Sequence, residues 1–576
     1  MVKTQDMLQK PSPRRLLERV ESLCAALCIL ALLCASAACT PPTEQTAPDG
    51  ETSAASTDDT IVIAVGVDMQ GVNELIAPPT QLNSAIHYFS IFRPLFDEET
   101  NFRDGPPTFV PLLAASWQQA EDRLSWTVTL REEAVWSDGA PITADDVHFT
   151  WQAQTSPEVG WSSAEVKARI RDVEVVDAKT VRFHFTEAYA TQLFDLNLGV
   201  ILPRHVWGEL PFSQWRESSQ WFVDNLVVSG PFTLESWQPA QRITLRRNER
   251  YFEPGLPGAE RVVFEVIPER ASQLARLRAG GVHFVDFIRP AEAESIENDP
   301  ELKLLSYLPR AYYFIAWNAT REPFDDPAVR RALTLGINRQ QIVDSLFYGY
   351  ADVPSSPLAA DTWVHHDELE PWPYDPQRAQ EILTERGFTD SDGDGVLDRD
   401  GEPLRFELMT NADNDLRRDV ITMVQSQLER IGVAVETRTM EFNALLEPLE
   451  NQRFDAVMQA LGIGTDFDLR PHYHTRASEN GFNWGGYSNP EMDRLLEEIA
   501  ATEDVVETLP LFREVQEILH QDQPQTLIYA SPRLLAARRE LRDVEPDAVS
   551  PFHHVARWRL AADDSASNEP ASGAAE

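Results

Sequence analysis

The chain has 576 residues, too many for one simple hydrophobic core and enough for two or three domains. Hydrophobic residues make up 43% and charged residues 25%, the balance of a folded globule. Its 92 acidic against 50 basic residues give a formal net charge of -42, a field that repels phosphate backbones and anionic headgroups and argues against nucleic-acid binding.

The first segment reads as an address. Arg14, Arg15 and Arg19 precede an apolar stretch from Leu23 to Leu33, and small residues then lead to Cys39. That order is a secretory signal, and an apolar run of about 16 residues falls short of the roughly 20 a spanning helix needs. Ser36-Ala37-Ala38-Cys39 resembles a bacterial lipobox, with Ser36 standing where leucine is usual. Residues 1–38 are therefore read as a signal peptide and Cys39 as a lipidation site. Residues 40–60 hold no large apolar side chain and should form a tether, so 39–60 is lipidated cysteine plus tether. Cys24, Cys28, Cys34 and Cys39 are all the cysteines, so the body has no disulfide framework and no cysteine metal site.

Past the tether, residues 61–68 read as a buried strand, and 124–131 and 180–187 alternate as half-buried strands. Between them Thr143 and Asp146 have the spacing of a helix start. Residues 269–287 give a helix, a stop at Gly280-Gly281 and a short strand. Residues 312–318 are a strand. Asp326-Pro327, Asp375-Pro376 and Asn489-Pro490 are three helix starts of one kind, with a capping side chain followed by proline where no N–H is needed. Asn338 opens a further helix that Gly349 should end, and 416–440 reads as an amphipathic helix, a Gly432 cap and a strand. Helix, glycine and strand in repeated succession indicate an α/β fold.

Residues 92–100 (FRPLFDEET), 110–151, 229–252, 318–357 and 487–496 (YSNPEMDRLL) resemble the peptide/opine/nickel-class, family 5, solute-binding proteins of bacterial ABC importers. The run from Trp136 to Val147 is the most specific part. The resemblance implies a bilobal periplasmic-binding-protein fold with an added α+β insert, three domains in all, and a ligand cleft between lobes. Lobe I would take 61–91, 216–306 and 535–560, the insert 92–215 and lobe II 307–534, leaving 561–576 as a disordered tail. It implies an extracytoplasmic lipoprotein, held to the membrane only by its lipid, that hands a peptide or related solute to a permease and ATPase complex. It also implies a monomer that needs no cofactor and carries no catalytic residues. A permease-independent sensory or cell-envelope receptor on the same scaffold is the alternative.

In peptide-binding relatives an acidic residue three positions before an Asp-Pro-Asp segment takes the peptide's α-amino group. Asp466-Phe467-Asp468 aligns with that segment here, which puts Ile463 at the amine position. An apolar, backbone-rich wall without an amine anchor is expected; either Asp466 substitutes as the carboxylate or the ligand lacks a free amine, and longer, N-blocked or non-peptide solutes should bind better than free dipeptides. Asn318, Asp468, Asn483, Trp484 and Tyr487 complete the ligand-binding candidates, the two aromatic rings as stacking surfaces. Asp390, Asp392, Asp394 and Asp398 occupy the first, third, fifth and ninth places of an EF-hand-like loop with Gly395 at the sixth, which makes them candidate ligands for a structural calcium. The twelfth place is Gly401, a departure from the bidentate glutamate of that motif. His472 and His474 have a metal-compatible spacing with Asp466 and Asp468 nearby, but the body lacks cysteines and histidines are common on loops, so a metal site is not expected there.

Overall fold

The structure is a computed structural model that describes residues 59–561. The signal segment, Cys39, the tether to residue 58 and the tail from 562 lie outside the described residues. Among the described residues no helix is long and apolar enough to cross a membrane.

Thr60–Val65 lies inside a seven-stranded sheet of order Leu302–Tyr307, Arg533–Arg538, Phe284–Val285, Thr60–Val65, Arg261–Val266, Arg242–Arg247, Phe232–Gln238. It runs parallel to both neighbours. Ile61 and Ile63 face one core and Ala64 another, so this strand is apolar on both sides, as central parallel strands are. A four-stranded antiparallel sheet follows from Ala114–Gln119, Ser125–Leu130, Thr180–Phe185 and Ile170–Val175. Its Val128, Val173, Val181 and Phe183 share one continuous core with Ile61, Ile63, Ile243 and Phe264 of the first sheet. The insert therefore grows out of the core of the first lobe.

The third sheet has five strands, in the order Ala434–Met440, Arg405–Asn411, Ala456–Gly462, Ala311–Trp317, Gln525–Tyr529. Ile315 and Trp317 pack on one face while Tyr312, Phe314 and Ala316 pack on the other, the period of two that a doubly covered strand needs. The helix starts form as their sequences require. Asp326 accepts the Ala328 N–H at 2.8 Å, Asp375 that of Arg378 at 2.9 Å, and Asn489 that of Glu491 at 2.9 Å. The helix Arg339–Phe347 ends one residue before Gly349, on Tyr348, which itself takes the left-handed conformation. Gly432 has φ +83°, and a Cβ there would come within 2.7 Å of Leu397, so this turn needs glycine twice over.

The chain passes between the seven-stranded and five-stranded sheets at 308–310 and again at 530–532, and the two crossings run side by side. Tyr307 pairs with Arg533 on one side of them and Tyr313 with Tyr529 on the other. The expected return to lobe I at residue 535 comes slightly earlier, because Arg533–Arg538 pairs along its whole length with Leu302–Tyr307.

Candidate functional site: a carboxylate-lined cleft

Between the two large sheets lies a cavity of about 710 Å³. Glu74, Tyr88 and Phe89 line it from the first lobe, Asp97, Glu98, Trp161, Phe194 and Asp195 from the insert, and Gly464, Thr465 and Asp466 from the second lobe. Ser550 and His553 of the C-terminal segment complete the wall. A smaller cavity of about 350 Å³ adjoins it, lined by Arg169, Asp468 and Arg470 and sharing Asp195 and Asp466 with the first. The rims touch beside it. Ala190 N–H donates to the Thr502 carbonyl at 3.1 Å, and Arg123 meets Glu503 at 2.8 Å.

Asp466 reaches the cleft because its neighbours are pulled the other way. Ile463 and Phe467 are 5% and 2% exposed and sit in the core of the second lobe. Phe467 adopts φ +55°, and its N–H closes a turn on the Gly464 carbonyl at 3.1 Å. Arg310 fastens the base of this loop, donating from Nε to the Ile463 carbonyl at 3.1 Å while its own carbonyl accepts the Ile463 N–H at 2.8 Å. The residues between are left facing the cavity. Burial, followed by repulsion from Asp468 and Asp195, pushes the Asp466 carboxyl up to about 6. Among the described residues Asp466 forms no ion pair.

The opposite wall is also acidic. Asp195 accepts the Tyr189 hydroxyl at 2.6 Å, with an Arg169 nitrogen at 3.5 Å, and burial raises its pKa. Its backbone carbonyl accepts from Lys167 Nζ at 2.5 Å, an ammonium so enclosed that burial lowers it to about 7. Glu74 takes the Val200 N–H on Oε1 at 2.8 Å, and burial pushes its carboxyl up to about 7. His553 is the exception in sign. Its Nδ1 lies 2.7 Å from Asp547 and its Nε2 2.8 Å from Asp97. Burial opposes charge on the ring, yet the two carboxylates require both nitrogens protonated and carry it to about 9.

Of the candidates chosen from sequence, Asp466 lines both cavities and Asp468 the smaller one. Asp468 also grips Arg470 in a bidentate pair at 3.0 and 2.8 Å. Four others serve the scaffold. Asn318 is fully buried, donates to the Gln452 and Phe454 carbonyls at 2.9 and 2.7 Å, and accepts from Thr320, so its amide has nothing left for a ligand. Asn483 donates to the Tyr487 carbonyl and accepts the Tyr487 N–H, folding the turn on itself. Tyr487 is buried with its hydroxyl on Asp522 at 2.6 Å. Trp484 is half-buried against the core, edge-on to Phe482, and lines neither cavity. Ile463 likewise packs in the core and lines neither cavity, so it does not itself form a cleft wall. The loop that Ile463 and Phe467 hold presents a carboxylate instead.

At the acidic loop, carboxylate oxygens of Asp390, Asp392 and Asp394 lie within 4.8 Å of one another, all three exposed. Asp398 stands apart from that group and accepts the Ser391 N–H at 2.9 Å. Asp390 takes the Gly393 and Gly395 N–H groups, Asp392 that of Asp394, and Asp394 that of Val396. These are the bonds of a self-closed turn leading into the two-stranded hairpin Asp398–Arg399 and Glu402–Pro403. Three carboxylates converge where the sequence pattern offered four, and the residues fit the turn better than a calcium cage. His472 and His474 go separate ways, His472 into an aromatic cluster with Tyr312 and Phe482, His474 to Glu497 at 3.2 Å.

Sequence reading missed Glu74, Asp97, Glu98, Asp195 and His553. Asp97 and Glu98 lie within the FRPLFDEET segment, but no local spacing marks them, since their partners lie hundreds of residues away.

Residues 108–483 match the family model described as bacterial extracellular solute-binding proteins, family 5 Middle. The chain is 29% identical over 456 residues to the oligopeptide-binding protein AppA of Bacillus subtilis (strain 168), covering 78% of this chain and 83% of that protein. It is 24% identical over 498 residues to the dipeptide-binding protein of Escherichia coli (strain K12), covering 82% and 91%. Among solved structures it is similar to the oligopeptide-binding protein AppA from Bacillus subtilis in complex with a nonapeptide, with TM-score 0.73, 26% identity, and 88% of this chain and 100% of that one covered. NikZ from Campylobacter jejuni in complex with Ni(L-His) shares the fold at TM-score 0.74 and 22% identity, over 87% of this chain and 99% of that one.

Proposed function

We propose that this chain, which belongs to the bacterial extracellular solute-binding proteins of family 5, encloses a peptide in its 710 Å³ cleft and delivers it to an ABC importer. The observation that carries the reading is Asp466, a shielded carboxylate without an ion-pair partner among the described residues, held at the cavity wall by two core side chains. An ammonium group seated there would relieve its burial and its repulsion from Asp195 and Asp468 together. The aromatic walls, Phe89, Trp161 and Phe194, suit the side chains of a peptide. Relatives named for oligopeptide and dipeptide binding support the same solute class. The paired crossings support closure of two lobes about one hinge. Lipidation at Cys39 belongs to the proposal, and Cys39→Ser is expected to release the protein from membranes.

Calorimetry against free and N-acetylated oligopeptides tests the reading. Asp466→Asn is expected to weaken the free-amine peptides by about 10- to 100-fold and to leave the acetylated ones nearly unchanged. Equal affinities of wild type and variant for free-amine peptides would remove Asp466 from the site.

A further inference from the structure

The charge of the larger cavity is one-sided. Glu74, Asp97, Glu98, Asp195 and Asp466 line it and no lysine or arginine does, although the chain has 50 of those residues. Its protonated histidine, His553, is already engaged by Asp97 and Asp547. The adjoining cavity is built differently, with Arg169 and Arg470 among its lining groups, so the exclusion of basic side chains is local.

Two sets of carboxylates remain. Asp195 and Asp466 come from opposite walls and stand where the two cavities meet, close enough that each contributes to the other's electrostatic surroundings. One ammonium between them satisfies that set. Glu98, on the insert, lies near Asp466 and Arg310 and belongs with that set, so Glu74 of the first lobe, near the Lys167 ammonium, stands as the other. Glu74 is 8% exposed, and its Oε2 and the Oε1 of Glu98 are buried without a hydrogen-bond partner among the described residues. A buried acceptor lacking a donor destabilises the fold until one arrives. An ammonium at Asp466 lies near Glu98 but leaves the Glu74 Oε2 without a donor.

On the reading that this cleft binds a peptide, we infer that its solute carries positive charge beyond one ammonium. It is a basic oligopeptide, with its terminal ammonium between Asp195 and Asp466 and a lysine or arginine side chain turned to Glu74. An acidic peptide is rejected by the same groups, since a carboxylate would find no free cation on the wall.

The experiment is calorimetry on the full-length protein with free-amine pentapeptides of alanine and glycine, in which each position in turn is lysine, norleucine or glutamate. Spermidine is a separate arm. At one or more positions lysine is expected to bind about tenfold tighter than norleucine, and glutamate weaker than either. Glu74→Gln is expected to collapse the lysine advantage. Should that variant misfold, the wild-type comparison of lysine with norleucine still decides. Equal affinities at every position would overturn the inference while leaving peptide binding intact. Tight spermidine binding with no peptide binding would overturn both the inference and the proposed function.

Discussion

In the turn at 390–398, Asp390, Asp392 and Asp394 stand exposed and each accepts a backbone N–H within a few residues of itself. In the cleft Glu74 and Asp195 are buried and Asp466 is half-buried, and desolvation raises all three. The side chains are nearly the same and their density along the sequence favours the turn. What differs is whether water or neighbouring amides can share the charge. In the turn the chain answers its own carboxylates locally. In the cleft segments distant in sequence bring carboxylates together: Asp195 is answered by Tyr189 and Arg169, while Asp466 keeps only the Asp468 N–H and no ion pair, and the Oε2 of Glu74 has no partner among the described residues.

The largest effect that would sharpen this contrast lies at His553, where the cleft does answer its own charge. The folded pKa is about 9 against an ordinary 6.5. A raised histidine contributes stability that is fully present below pH 6.5 and is lost as pH rises through 9. The wild-type protein should therefore lose stability between about pH 7 and 9. His553→Gln is expected to flatten that slope and to cost about 3 kcal/mol at pH 7, because Asp97 and Asp547 are left buried without their cation. Denaturant melts at a series of pH values give the answer, and an unchanged slope would show that the ring is neutral.

At Asp466 stability should fall with rising pH as well, over a lower window, but there the charged form is the one burial disfavours. Its folded pKa of about 6 exceeds the ordinary 3.8, so the folded chain holds the proton more tightly and stability falls as pH rises from about 4 to 6. Glu74 adds a similar fall up to about pH 7. Asp466→Asn is expected to stabilise the ligand-free protein by about 1–3 kcal/mol at pH 7 while weakening peptide binding. A variant that melts lower than wild type would mean that Asp466 already has a partner and would break the contrast.

The turn should give the smallest effect. Chelation is expected to leave the melting temperature unchanged, and Asp390→Ala to lower it by about 1 °C. A drop on chelation that calcium restores would show that an ion is built into the turn.

Much of the scaffold was legible because its causes are local. Asp326, Asp375 and Asn489 act on N–H groups two or three residues away, and Gly432 sits where the chain must turn left-handed, so spacing alone identifies them. Asn318, Asn483 and Tyr487 misled for a related reason. Their types suit ligand contact, but the Asn318 and Asn483 amides are consumed by backbone of the same lobe, some of it more than a hundred residues away, and the Tyr487 hydroxyl by the Asp522 carboxylate. Ile463 was read one step wrong because the aligned position carries no information about which way a loop residue faces.

By itself, then, the sequence determined the strands, the helix starts and the resemblance that places the chain among solute-binding proteins, since each rests on residue type at short spacing. Only the tertiary structure decided which carboxylates matter. Asp466 faces Asp195 across a cleft, and Asp97 reaches His553 over 456 positions of chain. A carboxylate's pKa and its need for a partner depend on the solvent and charges around it in space, and those are fixed when the lobes fold against each other.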